Sequence, residues 1–166
     1  MELLYYPNEF LDKQLKDVDL ENPEFNPKEI KEQMIDLMLR SNGIGLSASQ
    51  VGLDAQLFVM GDTKSNATLC INPTILQYTE ETVIDVEGCL SFPNIFVKVK
   101  RPKEILAKYY DENLQEQIVK ISGYSARCYL HEWDHLQGVT FKDRVSKLKW
   151  DMAIKKSRKL EKALGH

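Results

Sequence analysis

The sequence predicts an α+β fold, and three observations carry that expectation. Strand-like runs are grouped between helical segments without βαβ alternation. A helical stretch late in the chain carries the pattern His-Glu-x-x-His. No repeat, low-complexity tract or Pro/Gly/Ser linker interrupts the 166 residues, a length suited to one sizeable core. The expected architecture is a single domain, residues 1–166, with antiparallel or mixed β-sheets around a central HExxH helix, plus N-terminal and C-terminal helices.

The first helix is expected over Pro27–Arg40. Asn26 can cap it, Pro27 suits its first position, and Glu29 stands where a capping box places an acid. Ile30, Met34, Leu37 and Met38 share one face, and Asn42-Gly43 stops the helix. Strands are expected at Gln56–Met60, Leu69–Gln77 with a break at Pro73, Thr82–Val86, Phe96–Val99, Glu104–Tyr110 and Gln117–Ile121. Asp111–Leu114 reads as the hairpin turn joining the last two. A second helix is expected from about Tyr124 to Gln137, stopped by Gly138. A third runs from about Lys147 to Ala163, with Ser146 as N-cap. Its Leu148, Met152 and Leu160 suggest an apolar stripe that packs on the body.

Apolar content of 43% and charged content of 28% are ordinary for a globular chain. No apolar run reaches the roughly 20 residues that cross a bilayer. The opening MELLYYPNEF has no basic region and no long apolar region, so a cytoplasmic location is expected. Three cysteines, Cys70, Cys89 and Cys128, argue against a disulfide framework. Cys70, in LCINPTIL, reads as core. The net charge of −3 is uneven. From Lys142 onward nine lysines and arginines face three acids, a tail of +6 on a body of −9. Such a tail suits an anionic partner or a solvated helix face.

His131-Glu132-Trp133-Asp134-His135 is the strongest signal. Helical residues four apart share a face, so both imidazoles can bind one metal ion. Glu132 projects beside such an ion and not into it, where a general base for an activated water belongs. The chain has only three histidines, two in this pattern; His166 is terminal and reads as irrelevant. A catalytic tetrahedral site needs a third protein ligand and one open position. Phe141 occupies the place of a metzincin third histidine, and Asp143, Asp151 and Glu161 lie in the lysine-dense tail. An upstream thiolate is the remaining source.

Two upstream segments fit around this motif. Glu87-Gly88-Cys89-Leu90-Ser91-Phe92-Pro93 lies between strands; Gly88 permits an unusual backbone beside Cys89, and a tight turn can aim the thiolate at a metal. Gly43-Ile44-Gly45-Leu46-Ser47-Ala48-Ser49-Gln50 follows the first helix and reads equally as a helix C-cap with loop or as a backbone that approaches a ligand. Together GIGLSASQ, EGCLS and HEWDHLQG resemble, in order and separation, the three motifs of peptide deformylases, over Pro7 to about Val145.

That resemblance implies removal of the formyl group from the first methionine of nascent proteins, releasing formate. It implies Cys89, His131 and His135 as ligands of one divalent ion, Fe(II) by family habit, with Zn, Ni or Co able to substitute. It implies Glu132 as general acid/base, and Gln50 with the Leu90 backbone N–H as oxyanion donors. Tyr124 and Cys128 precede His131 by seven and three residues, so they fall on its helix face and are expected to line a methionine pocket with Ile44; core packing is the alternative. The peptide backbone is expected to pair along strand-like edges at Gly45 and Gly88. A monomer is expected, with ribosome docking through the basic C-terminal helix. Departures from the family pattern are Ser47 for Ala, Leu130 for Gln and Asn94 for Gly. Two other readings stay open. A small zinc metallopeptidase would use a carboxylate third ligand. A non-catalytic zinc-stabilised binding module would close the site with a further ligand such as Cys128.

Overall fold

The structure, a computed structural model, describes residues 1–165; His166 lies outside the described residues. Helix α1 spans Pro27–Arg40, as the periodicity predicts. The Asn26 side chain accepts from the Lys28 and Glu29 N–H groups, and Ile30, Met34, Leu37 and Met38 are buried. Asn42 then turns left-handed at φ 61°.

Seven antiparallel strands form two sheets. The first has five strands: β1 (Gly45–Ser47), β2 (Leu57–Met60), β3 (Thr68–Tyr78), β6 (Glu104–Tyr110) and β7 (Glu116–Ser122), in the order β1-β2-β3-β6-β7. The second is the hairpin of β4 (Thr82–Cys89) and β5 (Phe92–Pro102). Strand β3 does not break at Pro73. Its register with β6 slips between Ile71 and Thr74 instead, which spares the ladder a donor that proline lacks. Asn72, at φ 48°, takes the bend, and its side chain exchanges two hydrogen bonds with the Val18 backbone.

The hairpin strands run well past the spans expected from sequence. Lys98 and Lys100 alternate with buried Val97, Val99 and Arg101, a half-solvated strand whose charged outer face masks its length. Three short 3₁₀ turns, Glu9–Asp12, Ala48–Val51 and Phe141–Arg144, escape sequence periodicity.

Helix α2 spans Gly123–Leu136 and packs between the sheets, touching β1, β2, β6 and β7 on one side and β5 on the other. Gly123 (φ 63°) and Gly138 (φ 77°) bracket it in left-handed turns. Its Tyr129 is fully buried, edge-on to Phe58, and donates its hydroxyl to the Thr74 and Lys108 carbonyls.

Helix α3 spans Lys147–Ala163, with the Ser146 hydroxyl accepting from the Lys149 N–H. Its packing face corrects the expectation. Leu148, Met152 and Leu160 are 71%, 62% and 41% exposed, while Trp150 and Ser157 are buried and Ala153 and Ile154 pack against the hairpin core. Trp150 meets Phe92 and Phe141 edge-on at 5.8 and 5.5 Å. Burying that large ring removes more apolar area from water than burying Leu148, so it sets the helix rotation. Leu148 and Met152 are left among lysines on the outer face.

Candidate metal and catalytic centre

The centre forms where α2 crosses the end of the β4–β5 hairpin. Cys89 ends β4, Leu90 and Ser91 make the two-residue turn, and Phe92 begins β5. Gly88 does not use the freedom of a positive φ that glycine permits. It serves a close approach: a Cβ there would stand 2.8 Å from the Phe96 ring. Leu90 likewise lies against Gly43, where a Cβ would come within 2.6 Å of its Cδ1.

One ligand atom each from Cys89, His131 and His135 falls within 4.8 Å of the others, and among the described residues this is the one cluster that can hold a metal ion. The Cys89 Sγ lies 3.3 Å from His135 Nε2. Their chemistry, one thiolate and two imidazoles, suits a borderline divalent cation. Cys128 stands outside the cluster; its thiol donates to the Ile44 carbonyl at 3.6 Å. Asp143 accepts from the Thr140 N–H, and Asp151 pairs with exposed Lys147, so neither approaches the centre.

Glu132 lies 4% exposed, with Oε1 unpartnered among the described residues. Burial pushes its carboxyl up to about 7, with the Glu87 charge adding to the rise and His131 and Arg101 opposing it. Gly45 makes room for it, since a Cβ there would stand 2.5 Å from Oε2. A cation beside it draws this value back down. His135 Nδ1 is also buried without a partner among the described residues. Burial and the neighbouring His131 hold His135 well below the usual histidine range. Burial opposes charge on His131 as well, but its Cys89 and Glu87 partners overcome that and raise it well above the usual range.

Sequence reasoning missed the residues that orient these groups. Glu87 accepts from Arg101 Nε (2.8 Å) and Nη2 (2.9 Å) and from Arg127 Nη1 (2.7 Å), and its Oε1 lies 2.8 Å from His131 Nδ1. Arg101 also donates to Asp134 at 2.6 Å, and Arg144 donates to both Asp134 oxygens. One signal was available. Arg101 occupies an inward position of an alternating strand, and a buried arginine demands buried carboxylates.

Gln50, 1% exposed, donates from Nε2 to Cys89 Sγ at 3.5 Å. A pocket of about 460 Å³ opens beside Glu132 and His131, lined by Ile44, Gly45, Gly88, Leu90, Tyr124 and Cys128 among others. Thus all five residues expected to bind substrate line one cavity, and Gln50 and His135 are not among its lining residues.

The family model described as polypeptide deformylase matches residues 1–151. The chain belongs to the peptide deformylase family. A peptide deformylase of Wolbachia pipientis wMel is 41% identical over 147 residues, covering 81% of this chain and 82% of that protein. The Legionella pneumophila peptide deformylase structure superposes with a TM-score of 0.88 at 30% identity, covering 99% of this chain and 97% of that one. The Thermotoga maritima peptide deformylase structure gives 0.81 at 38% identity, over 87% and 97%. The deformylase match ends within α3, so most of the basic helix lies beyond it.

Proposed function

We propose that residues 1–166 form one catalytic unit that hydrolyses the N-formyl group of formyl-methionine at the start of nascent polypeptides, releasing formate. The carrying observation is the convergence of Cys89, His131 and His135 beside a buried carboxyl, Glu132, whose Oε1 has no partner among the described residues. Cys89, His131 and His135 would hold one divalent ion, Fe(II) in our reading, with Zn, Ni or Co as substitutes. When bound, such an ion supplies Lewis acidity, which makes water nucleophilic at neutral pH and polarises a carbonyl.

Glu132 takes the proton of the attacking water and delivers it to the departing amine. Its burial lets the carboxyl hold that proton between the two steps. The Gln50 amide and the Leu90 backbone N–H receive the developing oxyanion, a role worth about 2.7–4 kcal/mol per donor. A formyl carbon bears only hydrogen, so a tight site beside Glu132 would admit it and exclude an acetyl methyl sterically. Ile44, Tyr124 and Cys128 take the methionine side chain. Strand β1 is the edge of its sheet and β4 pairs only with β5, so Gly45 and Gly88 offer free backbone to an extended peptide.

Among the described residues no helix is long and apolar enough to cross a membrane. A cytoplasmic, monomeric enzyme is our reading. The outer face of α3, with Lys155, Lys159 and Lys162, is our candidate for ribosome contact. Among the described residues, no carboxylate joins the two histidines as a metallopeptidase would need, and no fourth ligand closes the site as a zinc module would need.

Formate release from formyl-Met-Ala-type peptides, measured anaerobically with Fe(II), Ni(II) and Zn(II), tests the reading. Turnover with formyl but not acetyl peptides is expected. Cleavage of internal peptide bonds without formate release would overturn it.

A further inference from the structure

Ser47 is buried at the end of β1, one of the positions where the sequence departs from the family pattern. Its backbone N–H donates to Gln50 Oε1 at 3.0 Å, and its hydroxyl donates to the same oxygen at 3.0 Å. The Gln50 backbone is anchored separately, its carbonyl accepting from the Leu4 N–H at 2.7 Å. What remains free is the terminal amide. Its last torsion is broad and roughly two-fold, so packing alone fixes it poorly.

The two faces of that amide are chemically opposite. A backbone N–H can only donate, so Oε1 must face Ser47, and a reversed amide would set donor against donor. One donor selects the face but lets the amide plane swing about it. A second donor, from Oγ, fixes the plane. With Oε1 held at two points, Nε2 is aimed at Cys89 and the reacting centre.

We propose that Ser47 is a positioning residue for the oxyanion donor: its hydroxyl and N–H together lock the Gln50 amide so that Nε2 points at the carbonyl under attack. This rests on the reading of Gln50 as that donor. Ser47 touches no reacting atom and acts only through Gln50, so its effect must disappear when the Gln50 amide is gone.

A double-mutant cycle on the metal-loaded enzyme decides the matter, with metal content and thermal unfolding measured for each variant. Gln50→Ala should lower kcat by about 10²–10³. Ser47→Ala removes one of two donors and should lower kcat about two- to tenfold with KM unchanged. In the Gln50→Ala background, Ser47→Ala should be silent. A kcat unchanged by Ser47→Ala, or an equal loss in both backgrounds, overturns the proposal while leaving Gln50 in its role. An unchanged kcat in Gln50→Ala overturns the reading of Gln50 and the proposal with it. Nuclear magnetic resonance of the Gln50 side-chain amide gives a readout independent of turnover. Ser47→Ala should speed hydrogen exchange of those protons in the metal-free protein, and unchanged exchange counts against the lock.

Discussion

Glu87→Gln is the sharpest perturbation of the centre, because it changes no shape. The Glu87 carboxylate, 6% exposed, makes four contacts: three hydrogen bonds from two arginines and one with His131. An amide has one accepting oxygen and one donating nitrogen. With nitrogen in the Oε2 place, it faces Arg101 Nε and Arg127 Nη1. With nitrogen in the Oε1 place, it faces Arg101 Nη2 and loses the orientation of His131. Either way two contacts become repulsive, Arg127 loses its carboxylate partner and Arg101 keeps only Asp134. Breaking a buried pair of this kind costs about 3–5 kcal/mol. For a chain of this size, about 2–4 °C per kcal/mol translates this into a fall in Tm of roughly 6–20 °C. Metal affinity should weaken by about 10–100-fold, as for other outer partners of ligating histidines. The pH dependence has a definite sign. Burial alone would raise the Glu87 pKa, but hydrogen bonds from Arg101 and His131 hold it far below the usual carboxylate range. Its stabilisation is therefore full above the unfolded value of about 4.3 and is lost as pH falls toward the depressed folded value. Urea unfolding of both metal-free proteins from pH 7 to pH 3 should show a gap that narrows below about pH 4. A gap under about 1 kcal/mol at pH 7, or one that stays constant to pH 3, would refute the reasoning.

Glu132→Gln should keep its metal and lose about 10²–10⁴ of kcat, since the amide cannot carry the proton; strong formate release by a metal-replete variant contradicts this. X-ray absorption on the zinc-loaded protein should show one sulfur near 2.3 Å, absent in Cys89→Ala, and a wild-type spectrum without sulfur removes Cys89 from the ligand set. Charge reversal at Lys155 and Lys159 should leave hydrolysis of short formyl peptides unchanged and weaken salt-sensitive co-sedimentation with ribosomes. Equal sedimentation of both proteins would leave α3 as a packing element only.

The parts legible in the sequence are those set by local periodicity or by fixed spacing. Helix α1, strand β6 and helix α3 fall on their expected bounds because caps and alternation are encoded within each segment. His131 and His135 converge because a helix brings i and i+4 to one face, and Glu132 projects beside them. What was missed depends on partners far along the chain. The rotation of α3 follows from Trp150 finding Phe92 and Phe141, not from its own leucine spacing. The Glu87–Arg101–Asp134 linkage joins residues up to 47 positions apart, and nothing local marks Glu87 as an orienting group. In the sequence Ser47 is only a departure from a motif, because its hydrogen bond to the Gln50 side chain does not show there.

The two histidines are held by different means, and this difference bears on how the centre assembles. His131 is oriented by a carboxylate from the hairpin, while the backbone carbonyl of His135 accepts from Ser49 and its Nδ1 has no partner among the described residues. Cys89 comes from the same hairpin as Glu87. The contact of β4–β5 with α2 therefore both places the Cys89 sulfur and orients the His131 imidazole. Arg101 ties that docking to Asp134, the residue before His135, so the ion network spans both sides of the ligand set. Two carboxylates and three arginines meet here, and desolvating them offsets much of their attraction. Well-packed apolar residues would serve stability as well. They would not fix the angle between hairpin and helix, and it is that angle on which the meeting of Cys89 with His131 and His135 depends.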